Sequence, residues 1–199
     1  MELPVNIRVE HVKQKRMELY YPIVYGLPNK EAEQKINYEI AAVMRKLIAD
    51  QGFYQNPQTE VTGTFELKAN ERGVLSLTMI NYAYSGGAHG MTIVKGLTFD
   101  VATGKKYSLR ELFLPNKDYV KPLSDLVAKQ IKERDIFLLD PPFKGISPNQ
   151  DFYIADKVLV LFYQLYDLTP YAYGLPHFPI SVYEIQPLIN EQSPLGKMI

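Results

Sequence analysis

The sequence contains no cysteine and no tryptophan, and the first of these absences excludes several kinds of chemistry. Disulfides, thiolate zinc sites, iron–sulfur clusters and cysteine nucleophiles all require a thiol. The nitrogen ligands that remain are three histidines, His11, His89 and His177, and their spacing matches no zinc-binding pattern. A site built from His89, His177 and a carboxylate stays open as an alternative. We expect no metal and no other cofactor.

An excess of charge of either sign is also absent, because 22 basic residues balance 22 acidic residues in a chain of 199. Nucleic acids and anionic membranes bind proteins that present a basic field, so we expect neither as a partner. The longest apolar run, at 158–163, is far shorter than the stretch of about 20 apolar residues that a membrane helix needs. No signal-peptide pattern opens the sequence, which favours a cytoplasmic location. An extracytoplasmic location is the alternative if these residues belong to a longer chain.

Two hydrophobic periodicities alternate along the chain and predict an α+β fold of antiparallel β-hairpins and two main helices. Apolar stripes at helical spacing predict helices over 30–50 and 119–134, with Asn29 and Asp118 as their N-caps. Alternating or β-branched runs predict strands at 5–10, 19–25, 59–67, 74–84, 92–101, 105–107, 152–155, 158–163 and 180–183, and short helical turns at 109–113 and 184–189.

The stretch 81–90 differs from the rest of the chain, because it places Gly86, Gly87 and Gly90 around His89 directly after an aromatic strand. Glycine loses more backbone entropy on folding than any other residue, so such a cluster implies positive φ angles or a close approach to the main chain. We therefore predict a loop of one specified conformation that binds a ligand. The predicted binding residues here are Tyr82, Tyr84, Ser85, Gly86, Gly87, His89 and Gly90.

His89 has two interpretations. Its ring pins the loop through a hydrogen bond to a backbone carbonyl, or it acts as a general base with Ser85 as the nucleophile. Tyr82 and Tyr84 also have two interpretations: they contact a ligand, or they line a core and extend their hydroxyls to its rim. A phosphate cradle is disfavoured, because a strand and not a helix follows the glycines.

A second candidate surface lies in the proline-rich segment, residues 167–179. Its three prolines and one glycine predict an extended and well-packed excursion, and its tyrosines combine a large contact area with a polar tip. The predicted ligand-binding residues of this segment are Tyr171, Tyr173 and His177.

Several motifs along the chain resemble a bacterial domain of unknown function. They are 82–90, Phe99-Asp100 with Thr103-Gly104, Ser108-Leu109 with Glu111-Leu112-Phe113, Phe152-Tyr153, 160–163, Pro170-Tyr171-Ala172 with Gly174, and Tyr21-Pro22 with Gly26-Leu27-Pro28-Asn29. The domain that they resemble forms the extracellular part of the RsiV anti-sigma factor and the non-catalytic N-terminal region of the peptidoglycan deacetylase PdaC. The resemblance covers about residues 5–190, and the run at 86–90 is its most specific part.

The resemblance implies an α+β fold of two closely packed modules, a PdaC-like module over 5–88 and an RsiV-like module over 89–190. It also implies a binding role, since the RsiV domain recognises lysozyme, and the loop 85–90 is the feature that we map from the family onto this chain. We expect the tail at 191–199 to be mobile.

We therefore expect a non-enzymatic module that binds a protein or a cell-wall glycan. The alternative is a hydrolase or transferase that uses His89 as a general base.

Overall fold

The computed structural model describes residues 4–199 and divides into two compact units, the first ending at Lys106 and the second running from Tyr107 to Ile199. Across the described residues each unit contains one β-sheet, and three α-helices are distributed between the units, which confirms the predicted α+β fold. The division falls later than the boundary expected between 88 and 89. The reason is that the strand after this boundary pairs along its length with the strand before it, so both belong to one sheet.

The first unit combines a five-stranded sheet with one long helix. Its elements are β1 (Asn6–Gln14), β2 (Met17–Tyr25), α1 (Lys30–Asp50), β3 (Glu60–Glu71), β4 (Val74–Tyr84) and β5 (Met91–Asp100). The strands lie in the order β1-β2-β3-β4-β5, and all neighbours are antiparallel except β2 and β3. Parallel neighbours need a crossover connection, and α1 supplies it.

The core of the first unit contains the predicted stripe of α1 and the inner face of the sheet. Ile36, Ile40, Met44 and Leu47 are buried in one cluster with Leu75, Leu77, Met79 and Phe99. The helix begins as predicted, because the side-chain oxygen of Asn29 accepts hydrogen bonds from the backbone of Glu31 and Ala32 at 3.1 and 3.2 Å. Within residues 4–199 no helix is both long enough and apolar enough to cross a membrane.

The second unit contains a three-stranded antiparallel sheet and short helices. Its elements are α2 (Val120–Glu133), β6 (Phe152–Ala155), β7 (Val158–Phe162), β8 (His177–Ser181), α3 (Val182–Ile185) and 3₁₀ turns at Leu109–Leu112, Tyr171–Tyr173, Gln186–Leu188 and Gly196–Met198. The strand order is β6-β7-β8, and Leu123, Val127, Phe162 and Phe178 are fully buried. β8 begins at His177, earlier than the predicted 180–183, because His177 already pairs with Phe162.

Two further expectations differ from the structure. The strand predicted at 105–107 is reduced to a single bridge between Lys106 and Phe99. The tail expected to be mobile is packed, since Leu195 and Met198 are fully buried and the Ser193 hydroxyl donates a 3.1 Å hydrogen bond to the carbonyl of Leu112. Burial of these apolar side chains is favourable and holds the chain end against the second unit.

Asn37 on α1 fixes β2 to the helix. Its side-chain oxygen accepts from the Val24 N–H at 2.9 Å, and its side-chain nitrogen donates to the Val24 carbonyl at 2.8 Å. Replacing Asn37 by Ala leaves both backbone groups without these partners, so we expect a loss of about 2 kcal/mol in the free energy of unfolding, measured by urea denaturation. Tyr38→Ala at the neighbouring exposed position is the control and should change stability by less than about 0.5 kcal/mol. Equal losses in the two variants would contradict this role of Asn37.

Candidate ligand-binding site

The glycine loop, residues 85–90, connects β4 to β5 at one end of the sheet. Gly86 and Gly87 have φ angles of 90° and 103°, a region that favours glycine. Gly90 is required for a different reason. A Cβ there would lie 2.4 Å from the Cζ of Tyr82 and 2.5 Å from the carbonyl oxygen of Ala83. The loop therefore uses its glycines in both of the ways that the sequence predicts.

Hydrogen bonds hold the glycine loop in shape. The Tyr84 hydroxyl donates to the carbonyl of Gly87 at 2.9 Å. The hydroxyls of Ser85 and Thr59 are 2.8 Å apart, and Thr59 is fully buried directly before β3. Nδ1 of His89 lies 2.9 Å from the carbonyl oxygen of Gly90, to which it donates when it carries the proton. This contact is the hydrogen bond to a backbone carbonyl that the structural interpretation of His89 requires. The His89 side chain nevertheless lies at an exposed position.

A pocket of about 460 Å³ opens between the glycine loop and the C-terminal end of α1. It is lined by Asp50, Gln51, Gly52, Ala83, Ser85, Gly86, His89, Gly90, Met91 and Ile93. Three of these side chains are apolar, namely Ala83, Met91 and Ile93, and the others are polar or glycine. A concave site with an apolar wall and a few fixed polar groups is the usual form of a ligand pocket.

Gln51 forms the wall of the pocket opposite the loop and is held at both ends of its amide. Its Nε2 donates to the carbonyl of Met91 at 2.8 Å, and its Oε1 accepts from Nδ2 of Asn81. Asn81 is fully buried on the face of β4 that otherwise carries apolar side chains. This short chain of hydrogen bonds joins the end of α1 to β4 and β5, so the wall is fixed before any ligand arrives.

Six of the lining residues were not predicted from the sequence: Asp50, Gln51, Gly52, Ala83, Met91 and Ile93. One signal was present in the sequence: Asn81 interrupts the apolar face of β4, and a buried amide needs hydrogen-bond partners. Its partner Gln51 lies 30 residues away in the chain and directly follows the predicted end of a helix. Spacing alone could not join the two residues, because the pairing depends on how α1 crosses the sheet.

The Ser85 hydroxyl and the Asp50 carboxylate, which line the pocket, both interact with other side chains of the protein. Ser85 bonds to Thr59, and Asp50 forms an ion pair with Lys46, with Oδ2 and Nζ 2.7 Å apart. A serine nucleophile requires a base within hydrogen-bond reach, and the partner of this hydroxyl is a threonine. Among residues 4–199 no group of three or more histidine, aspartate or glutamate side chains is arranged to hold a metal ion.

The tyrosines predicted to bind ligand occupy different environments. Tyr82 and Tyr84 in the first unit are 40 and 37 % exposed, so these rings are not sealed in a core. In the second unit Tyr173 is exposed, and the ring of Tyr171 lies 5.7 Å from that of Tyr166. His177 is half-buried at the start of β8, where its ring stacks on Phe162 with 5.6 Å between centroids. Its ring is therefore part of an aromatic cluster within the second unit.

Tyr163 shows what a core tyrosine looks like in this chain. Its ring meets Phe178 edge-on at 5.8 Å, and its hydroxyl has no hydrogen-bond partner within the described residues. Burial raises the pKa of this hydroxyl well above its ordinary value, because the anion would lose its hydration. Tyr82, Tyr84 and Tyr166 differ from it in being substantially exposed.

The predicted site residues thus fall into two groups. Tyr82, Tyr84 and the glycine loop lie together at one end of the first unit's sheet, beside the pocket. Tyr171, Tyr173 and His177 lie in the second unit, on a 3₁₀ turn and the first residue of β8.

Comparisons with known proteins agree with this two-unit α+β architecture. Residues 110–183 match DUF3298, a family described as a protein of unknown function, and residues 11–92 match the family described as deacetylase PdaC. The first match lies in the second unit and the second match in the first unit. The chain is therefore similar to DUF3298 proteins over its second unit and resembles RsiV and PdaC, as the motifs in its sequence indicate.

Two curated proteins of Bacillus subtilis (strain 168) are similar in sequence. The anti-sigma-V factor RsiV is 26 % identical over 195 residues, which cover 90 % of this chain and 67 % of RsiV. The peptidoglycan-N-acetylmuramic acid deacetylase PdaC is 23 % identical over 141 residues, which cover 68 % of this chain and 30 % of PdaC. The chain thus spans less than a third of the deacetylase.

Two crystal structures of DUF3298 proteins share the fold. The protein from Bacteroides fragilis superimposes with a TM-score of 0.77 at 14 % identity, over 98 % of this chain and 97 % of that one. The protein from Pseudomonas aeruginosa gives a TM-score of 0.69 at 15 % identity, over 96 % of this chain and 95 % of that one. At this identity the likeness establishes the fold, and function has to be argued from the site.

The close contact at Gly90 gives a test of the loop geometry. A methyl group at Gly90→Ala collides with Tyr82 and with the backbone of Ala83, so Tyr82 and the loop must shift. We expect Gly90→Ala to reduce the free energy of unfolding by about 1 to 3 kcal/mol in urea denaturation. Ala88→Ser, at an exposed position of the same loop, is the control and should be near neutral. A fully stable Gly90→Ala variant would show that the Tyr82 ring does not occupy this position.

Proposed function

We propose that this chain is a non-enzymatic binding module whose pocket beside the glycine loop holds part of a protein or cell-wall ligand. The observation that carries this proposal is that polar groups around the pocket form hydrogen bonds and an ion pair within the protein. Gln51, Ser85 and Tyr84 each form hydrogen bonds that fix a wall or the loop. A wall that is already ordered loses little entropy when a ligand binds, which favours recognition.

The similar proteins support a binding role and suggest two classes of ligand. An anti-sigma factor, by its name, acts on a partner protein, and RsiV aligns over 90 % of this chain. PdaC is named for a peptidoglycan substrate, which favours a cell-wall glycan. Both classes offer large, partly apolar surfaces that match exposed tyrosines, since a tyrosine contributes a wide ring and one hydroxyl.

The two classes of ligand also bear on location. A peptidoglycan ligand is met outside the cytoplasm, so it requires the extracytoplasmic alternative to the cytoplasmic location. A protein ligand is compatible with either location.

Binding measurements with two probes separate the classes. The full chain is immobilised and exposed to lysozyme, which the RsiV domain recognises, and to soluble peptidoglycan fragments. We expect one of the two probes to bind, with a signal that saturates. Absence of binding to both probes would contradict the proposal.

A variant at the pocket tests whether the bound probe uses it. Met91 lines the pocket and is 36 % exposed, so Met91→Arg places a long charged side chain in the cavity without disturbing the core. We expect the affinity for the bound probe to fall by about tenfold or more. Leu67→Arg, an exposed apolar residue of β3 that does not line the pocket, is the matched control and should leave the affinity unchanged. Equal affinities of the two variants would show that the probe binds outside this pocket.

A catalytic role of His89 is the second candidate, and one observation favours it. His89 and Asp50 line the same pocket, so a base and a carboxylate face one cavity. Esterase and glycosidase panels on the wild type and on His89→Gln decide between the candidates. Turnover that disappears in His89→Gln would support the hydrolase and contradict a purely binding module.

A further inference from the structure

The outer edge of β1 is open. β1 is the end strand of the five-stranded sheet, and in the part of the chain that the structure describes it pairs with β2 and with no other strand. Val9 in its middle is 56 % exposed although it is β-branched and apolar. An edge strand presents backbone N–H and C=O groups that another strand can use, and proteins usually protect such edges.

The register with β2 shows which backbone groups face outward. Val9 is opposite Pro22, and Ile7 is opposite Val24. Proline has no N–H, so Val9 and Pro22 do not form a pair that exchanges two hydrogen bonds. Val24 uses its N–H and C=O on the Asn37 side chain instead of on β1. Pro22 and Val24 therefore turn their backbone groups away from β1.

In a non-hydrogen-bonded antiparallel pair, the backbone N–H and C=O groups of both residues point away from the partner strand. Ile7 and Val9 consequently direct their N–H and C=O groups to the open edge, and the alternation along the strand adds His11. Arg8 and Glu10, between them, direct theirs to β2. Their side chains lie on one face of the strand and form an ion pair, with the Arg8 nitrogen and the Glu10 oxygen 3.6 Å apart.

The sequence of this edge is complementary to itself. When two β1 strands run antiparallel with Val9 opposite Val9, Ile7 faces His11 of the other copy and Arg8 faces Glu10 of the other copy. Ile7, Val9 and His11 then exchange backbone hydrogen bonds across the new contact. The Arg8 and Glu10 pair occurs on both sides of the symmetry axis, and opposite charges facing each other stabilise neighbouring strands.

Shifted registers lack this complementarity. A two-fold axis moved to Arg8 places Arg8 opposite Arg8, and an axis moved to Glu10 places Glu10 opposite Glu10. Like charges directly opposite each other are unfavourable, so the charges select the axis at Val9. A contact between identical surfaces is the form that a two-fold dimer takes.

We propose that β1 is a self-recognition edge, through which two copies of this chain pair antiparallel about Val9 and join their sheets. The occupant to which this edge is matched is a second copy, because Arg8 and Glu10 complement each other when two identical strands pair antiparallel about Val9. The contact involves only a few residues of one strand and buries a small area, so the dimer is weak and requires a high protein concentration.

Sedimentation equilibrium on the whole chain tests the proposal. Between about 10 μM and 1 mM we expect the average mass to rise from 22.8 kDa towards twice this value. Arg8→Glu alone and Glu10→Arg alone place like charges together and should weaken association by about tenfold or more. The double variant Arg8→Glu with Glu10→Arg restores opposite charges and should dimerise like the wild type. A monomer at every concentration, or a double variant no better than the single ones, would overturn the proposal.

Two further measurements separate edge pairing from other association. Val9→Pro removes an N–H that β2 does not use, so the unit should keep its circular dichroism spectrum and lose the dimer. Leu67→Glu, at an exposed apolar position of β3, is the control and should dimerise normally. In hydrogen exchange the amides of Val9 and His11 should slow with rising protein concentration while those of Arg8 and Glu10 do not change. A Leu67→Glu variant as weak as Val9→Pro, or equal slowing of all four amides, would contradict pairing at this edge.

Discussion

The crossing of α1 over the sheet is the constraint on which the first unit depends. β2 and β3 are parallel, so the chain between them must travel back along the sheet, and the buried stripe from Ile36 to Leu47 fixes the path. The same path sets two distant features. Near its beginning Asn37 binds the backbone of Val24, which orients β2 and leaves alternate groups of β1 facing outward. At its end Gln51 meets Asn81 and Met91 and becomes the wall of the pocket.

Local signals in the sequence predicted most of the elements. The cap at Asn29, the stripe of α1 and the alternation of β4 are each decided by neighbouring residues, and the structure has α1 at the predicted bounds. The tail could not be predicted in this way. Leu195 and Met198 show no periodicity, and their burial depends on surfaces formed by distant parts of the second unit. The unit boundary likewise depended on the pairing of β5 with β4.

In the candidate site, too, the part formed by neighbouring residues was predictable from the sequence and the part formed by distant residues was not. The glycine loop was visible in the sequence, because a cluster of glycines has a local steric cause, and the structure supplies it as two positive φ angles and one close contact. The opposite wall was not visible, because Asp50 and Gln51 reach the loop only after α1 has packed. A loop alone suggests either catalysis or binding. The hydrogen bonds of Ser85 to Thr59 and of Gln51 to Met91 use these polar groups to hold the shape of the site, which supports the proposed binding role.

The positions of the pocket and the open edge in one sheet connect the two proposals. β1 lies at one edge, whereas β4 and β5, which carry the glycine loop, lie at the other. Two sheets joined through β1 therefore carry their pockets at opposite ends, on the order of 40 Å apart at the usual spacing of strands. A repeating polymer such as peptidoglycan can occupy both pockets and gain from the high effective concentration of the second site. A monomeric protein ligand gains nothing of this kind, so the proposed pairing at β1, where it forms, would favour a repeating glycan in the proposed binding role.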